Sequence, residues 1–231
     1  MKRVFVKILF VSALLILSML LSSCASTGGT DAIFKPEMLY KSPALDFTKV
    51  SAVAVMPVNC YSNEVTEMTG MINDGLPAEL KRTQTAWNVI SDDEVLRKLN
   101  EKGYGRGYQN YIADLNTYTS AAGATPNFTA ETQTFFDSLK SAMNFQAILF
   151  TSYGYGEKSI TKITPIINTR YQDIIKELSV SVVLYDLTSH RTWWVAKLSL
   201  HCGSNVTNAE LARKVIEGIA SHFGQGTLRQ L

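Results

Sequence analysis

At 231 residues, 46% of them hydrophobic and 18% charged, the chain has the length and composition of one globular domain plus a short leader. Its formal charge of +2 rests on Lys2, Arg3 and Lys7; beyond residue 23 there are 19 Lys and Arg against 20 Asp and Glu, a net of −1. A near-neutral chain with no dense basic cluster lacks the footprint of a nucleic-acid binder, which excludes that class of partner.

The leader has three parts. Lys2, Arg3 and Lys7 form a positive start, and Ile8 to Leu21 is a 14-residue run without charge. That run is short of the roughly 20 apolar residues of a membrane span but fits a signal-peptide core. Leu21-Ser22-Ser23-Cys24 closes it. This sequence resembles the bacterial lipobox: an aliphatic residue, two small residues, then the cysteine that accepts lipid. Residues 1–23 therefore read as a lipoprotein signal peptide, with lipidation at Cys24; the alternative is a plain signal peptide or signal anchor with an incidental cysteine. The resemblance implies two or three acyl chains, palmitate among them. One chain binds a membrane marginally and a second makes the anchor stable. Ala25 stands where enterobacterial-type sorting uses aspartate for inner-membrane retention, which implies the outer membrane and a periplasm-facing domain. Residues 24–46 read as the lipidated N-terminus and a flexible tether, since Ala-Ser-Thr-Gly-Gly-Thr is polar and pliant and Lys35-Pro36 and Ser42-Pro43 discourage helix.

Residues 47–231 carry the folded pattern. Val50 to Met56 is a nearly continuous run of apolar β-formers, which predicts a strand buried on both faces in a parallel part of a sheet. Met68, Ile72, Leu76 and Leu80 recur every four residues and predict a helix that Gly75 and Pro77 should kink or split. Trp87 to Ile90 is a second strand. Ser91 with Glu94 forms a capping box for a helix that Gly103 stops, with Val95, Leu96 and Leu99 inward. Residues 103–128, rich in Gly, Tyr, Asn and Thr, are too long for an ordinary connection and read as an insert. Thr129 caps a helix carrying Phe135, Phe136, Leu139 and Met143, and Phe145 to Tyr153 is a third strand. Residues 157–176, interrupted by Pro165, read as a second insert. Leu178 to Leu184 and Trp194 to Cys202 alternate apolar with polar and form an antiparallel hairpin through a turn at Asp186 to Arg191. Thr207 and Glu210 cap a last helix with Leu211, Val215, Ile219 and Phe223 on one stripe. The fold class is α/β: a single three-layer domain, a mixed five-stranded sheet with flanking helices.

Three segments carry a wider resemblance: Lys49-Val-Ser-Ala-Val-Ala-Val-Met-Pro-Val58, Phe145-Gln-Ala-Ile-Leu-Phe-Thr-Ser-Tyr153, and Val182-Val-Leu-Tyr-Asp-Leu-Thr-Ser-His-Arg-Thr-Trp-Trp194. Together they resemble a group of periplasm-facing lipoproteins that includes the curli secretion-channel lipoprotein and the activator of penicillin-binding protein 1B. The resemblance covers about residues 46–224 apart from the two inserts, and implies a fold similar to the TolB N-terminal domain. One departure is that Ser189 or His190 stands where the group tends to have glycine. The curli channel inserts hairpins into a membrane, and each membrane strand needs about 9–11 residues of alternating pattern. Neither 103–128 nor 157–176 reads as two such strands, so a pore is not expected.

No residue set reads as catalytic, and no cofactor or metal is called for. His190, His201 and His222 fall on a turn, a strand and a helix end, without metal-ligand spacing. Gly154-Tyr-Gly-Glu-Lys-Ser159 has Glu157 where a P-loop would not, and Gly103-Tyr-Gly-Arg-Gly107 follows a helix rather than a strand. Cys60 and Cys202 each close a predicted strand; they read either as a disulfide or as two separate buried thiols. Tyr104, Tyr108, Tyr111 and Tyr118 share one face if their segment is helical. That face reads either as cover for the domain's own core or as a partner-binding surface, which deletion of 105–127 should abolish while leaving the domain folded. The expected function is non-enzymatic: a membrane-anchored lipoprotein that binds or scaffolds envelope proteins, or else a subunit of an oligomeric outer-membrane export complex.

Overall fold

The computed structural model describes residues 33–60, 66–119, 126–164 and 169–224; residues 1–32, with the leader and Cys24, lie outside that set. The architecture is α/β, with helices on both faces of a mixed seven-stranded sheet. Its strands are β1 (Ile33–Lys41), β2 (Ala52–Val55), β3 (Asn59–Cys60), β4 (Asn88–Ile90), β5 (Ala147–Thr164), β6 (Thr169–Asp186) and β7 (Arg191–Gly203). They run β1-β7-β6-β5-β2-β4, with β3 also on β5. β2 is parallel to β4 and β5, while β5, β6, β7 and β1 are antiparallel in turn. All four residues of β2 are buried, as a strand covered on both faces requires.

The helices are α1 (Thr66–Thr83), α2 (Asp92–Lys102), α3 (Gly105–Thr119), α4 (Ala130–Met143) and α5 (Asn208–Gly224). α1 and α5 cover one face. There Met68, Ile72, Leu76 and Leu80 meet Leu211, Val215, Ile219 and Phe223 above Val53, Val55, Leu149, Val182 and Leu198. α2, α3 and α4 cover the other, where Val95, Leu99, Tyr111, Leu115, Phe136 and Leu139 pack on Ala54, Met56, Ile148, Phe150 and Val183. Each such side chain contributes about 1.5–3 kcal/mol on full burial. The expected caps form. Ser91 Oγ accepts from the Glu94 N–H at 3.4 Å, Thr129 Oγ1 accepts from the Thr132 N–H at 3.4 Å, and Gly103 ends α2 at φ 70°.

Four expectations change. The reading of 24–46 as a tether does not hold from Ile33 onward, because 33–41 joins the sheet as β1 and 47–49 forms a 3-10 turn. Pro36, which argues against helix and against a central strand, is compatible with an edge strand. With β1 and β3 the sheet has seven strands rather than five. α1 passes through Gly75 and Pro77 without splitting. A Cβ on Gly75 would lie 2.5 Å from Ile216 Cδ1, so the two helices approach closely there, and that packing offsets the hydrogen bond proline cannot donate. Within the insert over 103–128, Gly105–Thr119 form α3, part of the helical layer. Gly107 lets α3 approach α4, since a Cβ there would lie 2.6 Å from the Phe135 ring.

Candidate functional site

The segment 157–176 is not an irregular insert. It continues β5 and β6 as a paired antiparallel ribbon, in register from Glu157 opposite Lys176 to Thr164 opposite Thr169. The local chemistry explains it: Ser159-Ile-Thr-Lys-Ile-Thr164 is rich in β-branched residues, and Pro165 falls beyond the end of β5. β3 accompanies β5 only to Tyr153, and β7 accompanies β6 only to Ile175, opposite Gly203. Beyond those points no other described strand pairs with the outer edges of β5 and β6. The ribbon runs past the end of β7 by about 20 Å at roughly 3.4 Å per residue.

The base of the ribbon is held, and the side chains just beyond it are largely exposed. Lys176 Nζ donates to the Val206 carbonyl at 2.7 Å, and His201 Nδ1 lies 3.7 Å from Glu177 Oε1. Tyr155 donates its hydroxyl hydrogen to the Glu157 carboxylate. Glu157, Lys158, Ser159, Thr161, Gln172 and Ile174 are exposed. The register places Glu157, Lys176, Ser159 and Ile174 on one face and Lys158, Ile175, Ile160 and Asp173 on the other. The pairing of two strands that the sequence does not show is therefore present, but charge falls on both faces of 157–161 and 172–176. A lipid-facing barrel strand is instead apolar on one.

The crevice where open α/β sheets hold ligands is filled by the chain itself. β2 connects to β4 through α1 and β4 returns to β5 through the opposite helical layer, which puts the topological switch at the carboxyl ends of β2 and β5. β3 runs along β5 at that point, Asn59 opposite Ser152 and Cys60 opposite Tyr153. It is tied by Val58 N–H to Asn73 Oδ1 at 2.8 Å, and Tyr153 shares a 2.6 Å hydrogen bond with Thr69. Burial raises the Tyr153 phenol far above its ordinary value. Nearby Asp92 opens α2 almost fully buried. Desolvation raises its carboxyl, with Asp93 and Asp74 adding to the effect and backbone N–H groups opposing it.

An open groove of about 730 Å³ lies between α1 and α5, lined by Gly75, Ala78 and Ala212 among others. Its charges are already matched. Arg82 pairs with Glu79, and Arg213 with Glu217 at 2.7 Å.

The remaining candidates are dispersed. Cys24 lies outside the described residues. Cys60 and Cys202 are not bonded to each other: β3 and β7 are separated by β6 and β5, about 14 Å at the usual strand spacing. A bridge needs Cα atoms within about 7 Å. Burial pushes the Cys202 thiol up. The tyrosine spacing does mark one helical face, and that face points inward. Tyr111 is fully buried, with its ring 5.6 Å from Phe136 and 6.3 Å from Phe150. Tyr104, Tyr108 and Tyr118 are half-buried beside it, Tyr104 against Phe135 and Tyr118 at 3.3 Å from Ser181 Oγ. Removal of 105–127 would thus open the core rather than leave the domain intact. His190 Nε2 lies 3.3 Å from Asp137, and His222 Nδ1 lies 2.7 Å from the Gly218 carbonyl, so the histidines do not converge. His190 takes the left-handed position of the β6–β7 turn, at φ 51°. The Asp186 carboxylate holds that turn by accepting from the Thr188 and Ser189 N–H groups at 3.0 Å. No described helix is long and apolar enough to cross a membrane.

No family model matches the chain, and no curated protein matches it. The resemblance to the curli-channel and activator group thus rests on sequence patterns alone. Among solved structures, the PelC dodecamer from Paraburkholderia phytofirmans matches at 12% identity and a TM-score of 0.46, over 84% of this chain and 100% of that one. Lipoprotein GNA1162 from Neisseria meningitidis matches at 14% identity and a TM-score of 0.42, over 74% and 96%.

Proposed function

We propose that this chain is a lipid-anchored outer-membrane lipoprotein, facing the periplasm, that acts by binding other envelope proteins rather than by catalysis. The anchor rests on the uncharged run Ile8 to Leu21 followed by Leu21-Ser22-Ser23-Cys24. The binding role rests on one observation, the ribbon beyond β7 and β3. No third described strand pairs along it on either side, and strand edges outside a sheet are templates for another chain. The ribbon thereby replaces the tyrosine face as the contact element.

The test keeps the full chain and replaces 160–173 by Asn-Gly, so that Ser159 and Ile174, opposite each other, close in a tight turn. Crosslinking in intact cells with the native chain should capture envelope proteins. The shortened chain should remain folded and membrane-associated and lose those adducts. Retention of the same adducts would overturn the ribbon's role. The same free edges favour a second reading, a subunit of an oligomeric export complex in which ribbons of neighbouring copies pair. A defined multiple of the chain mass in mild detergent, lost on shortening the ribbon, would select it.

A further inference from the structure

The strand that leads out of the anchor segment is also the outermost strand of the sheet. β1 pairs with β7 on one side and has no partner on the other among the described residues. Met38, Leu39 and Tyr40 on it are 40%, 37% and 39% exposed, three of the four large hydrophobic residues so exposed among the described residues. They are consecutive, which a regular strand does not allow on one surface, because successive side chains alternate between faces. The register shift between Met38 and Tyr40 breaks that alternation locally: Leu39 is the extra residue of a bulge, and all three are exposed along this edge. Exposed Lys35 and Lys41 flank the patch.

We propose that the β1 edge rests on the lipid surface, with Met38, Leu39 and Tyr40 at the level of the headgroups and upper acyl chains. This rests on the reading that Cys24 carries the lipid. Residues 25–32 separate Cys24 from Ile33, a distance of at most about 30 Å even when fully extended, so β1 starts near the bilayer. The patch has the composition of that depth. Tyrosine is favoured at membrane interfaces, lysines meet anionic headgroups, and Met and Leu supply apolar area. The contact is shallow, because the outward backbone groups of β1 need water or headgroup oxygen for hydrogen bonding. A protein strand is the poorer occupant. The bulge, the charges of Lys35, Glu37 and Lys41, and Pro36, which has no N–H, all oppose strand addition along this edge.

The orientation has a consequence for the ribbon. With β1 on the bilayer, the strands lie parallel to the membrane plane. β6 and β5 follow two and three strand spacings above β1, about 10–14 Å. The ribbon then reaches sideways over the membrane, towards partners anchored in the same leaflet.

The test uses the full lipidated chain in vesicles of phosphatidylethanolamine and phosphatidylglycerol. Leu39 is replaced by photoreactive p-benzoylphenylalanine, and in a control Arg97 on α2 is replaced instead. Lipid adducts at 39 and none at 97 are the expected result. In the unmodified chain, amide exchange over 33–41 should slow on vesicles relative to detergent-free Cys24→Ala protein. Absence of a lipid adduct at 39, or an adduct to a second copy of the chain, would overturn the proposal. Labelled palmitate separates this failure from that of the anchor. Label that disappears in Cys24→Ala supports the anchor, so a negative result at 39 then counts against the β1 contact alone. A native chain without label overturns both.

Discussion

β5 and β6 pass through two environments within single strands. From 147 to 153 every residue of β5 is buried, and Val180, Val182, Val183 and Leu184 opposite are buried with it. From 157 to 161 and 172 to 174 the same two strands are paired as regularly, yet exposed or half-buried with charge on both faces. A two-stranded ribbon is marginal on its own in water. Its order here comes from continuity with the packed half and from Lys176 held on the Val206 carbonyl. The comparison separates what makes the fold from what the fold presents. Packing sets stability in the body, while the ribbon adds backbone edges and little burial.

The largest effect that tests this division is in the body. Phe150 is 1% exposed and packs against Phe128 at 5.5 Å and Tyr111 at 6.3 Å. Phe150→Ala should cost about 3–5 kcal/mol in urea unfolding. A cost near zero would mean that the body of β5 is not held by packing. A smaller effect of opposite sign is expected at Tyr111, whose hydroxyl is buried without a hydrogen-bond partner among the described residues. Tyr111→Phe keeps the ring and removes that burden, so stability should rise by about 1 kcal/mol, read as a higher Tm. A lower Tm would show that the hydroxyl is engaged in the native protein.

The body was legible because its signals are periodic and reinforced by caps. The four-residue spacing from Met68 to Leu80 and the alternation from Leu178 to Leu184 each name an element, and Ser91 with Gly103 marks both ends of one. The edges were not legible, for a physical reason. β1 contains Pro36 and lysines, and the ribbon has no buried face over 157–161; in both, strand formation comes from pairing with a neighbouring strand, distant in sequence for Ile33 on His201 and next in the chain for Glu157 on Lys176. A pattern that looks for one buried face therefore missed both. The tyrosine spacing carried the right helix but no sign of direction, since tyrosine serves interiors and interfaces alike. Cys60 ends β3 and Cys202 lies one residue before the end of β7, and only the strand order, with β5 and β6 between them, decides that they do not meet.

The smallest effect expected is also the most discriminating. Ile174 lies on the ribbon opposite Ser159 and is 42% exposed. In an isolated chain Ile174→Ala should change stability by no more than about 0.5 kcal/mol, the ordinary range for a surface substitution. A loss well above that would mean that the ribbon is covered in the native protein. If a second copy supplied the cover, the Tm of the native chain would rise with protein concentration, by mass action, and Ile174→Ala would flatten that dependence. A Tm independent of concentration, with Ile174→Ala neutral, leaves the ribbon open in the isolated protein and available to a different envelope partner.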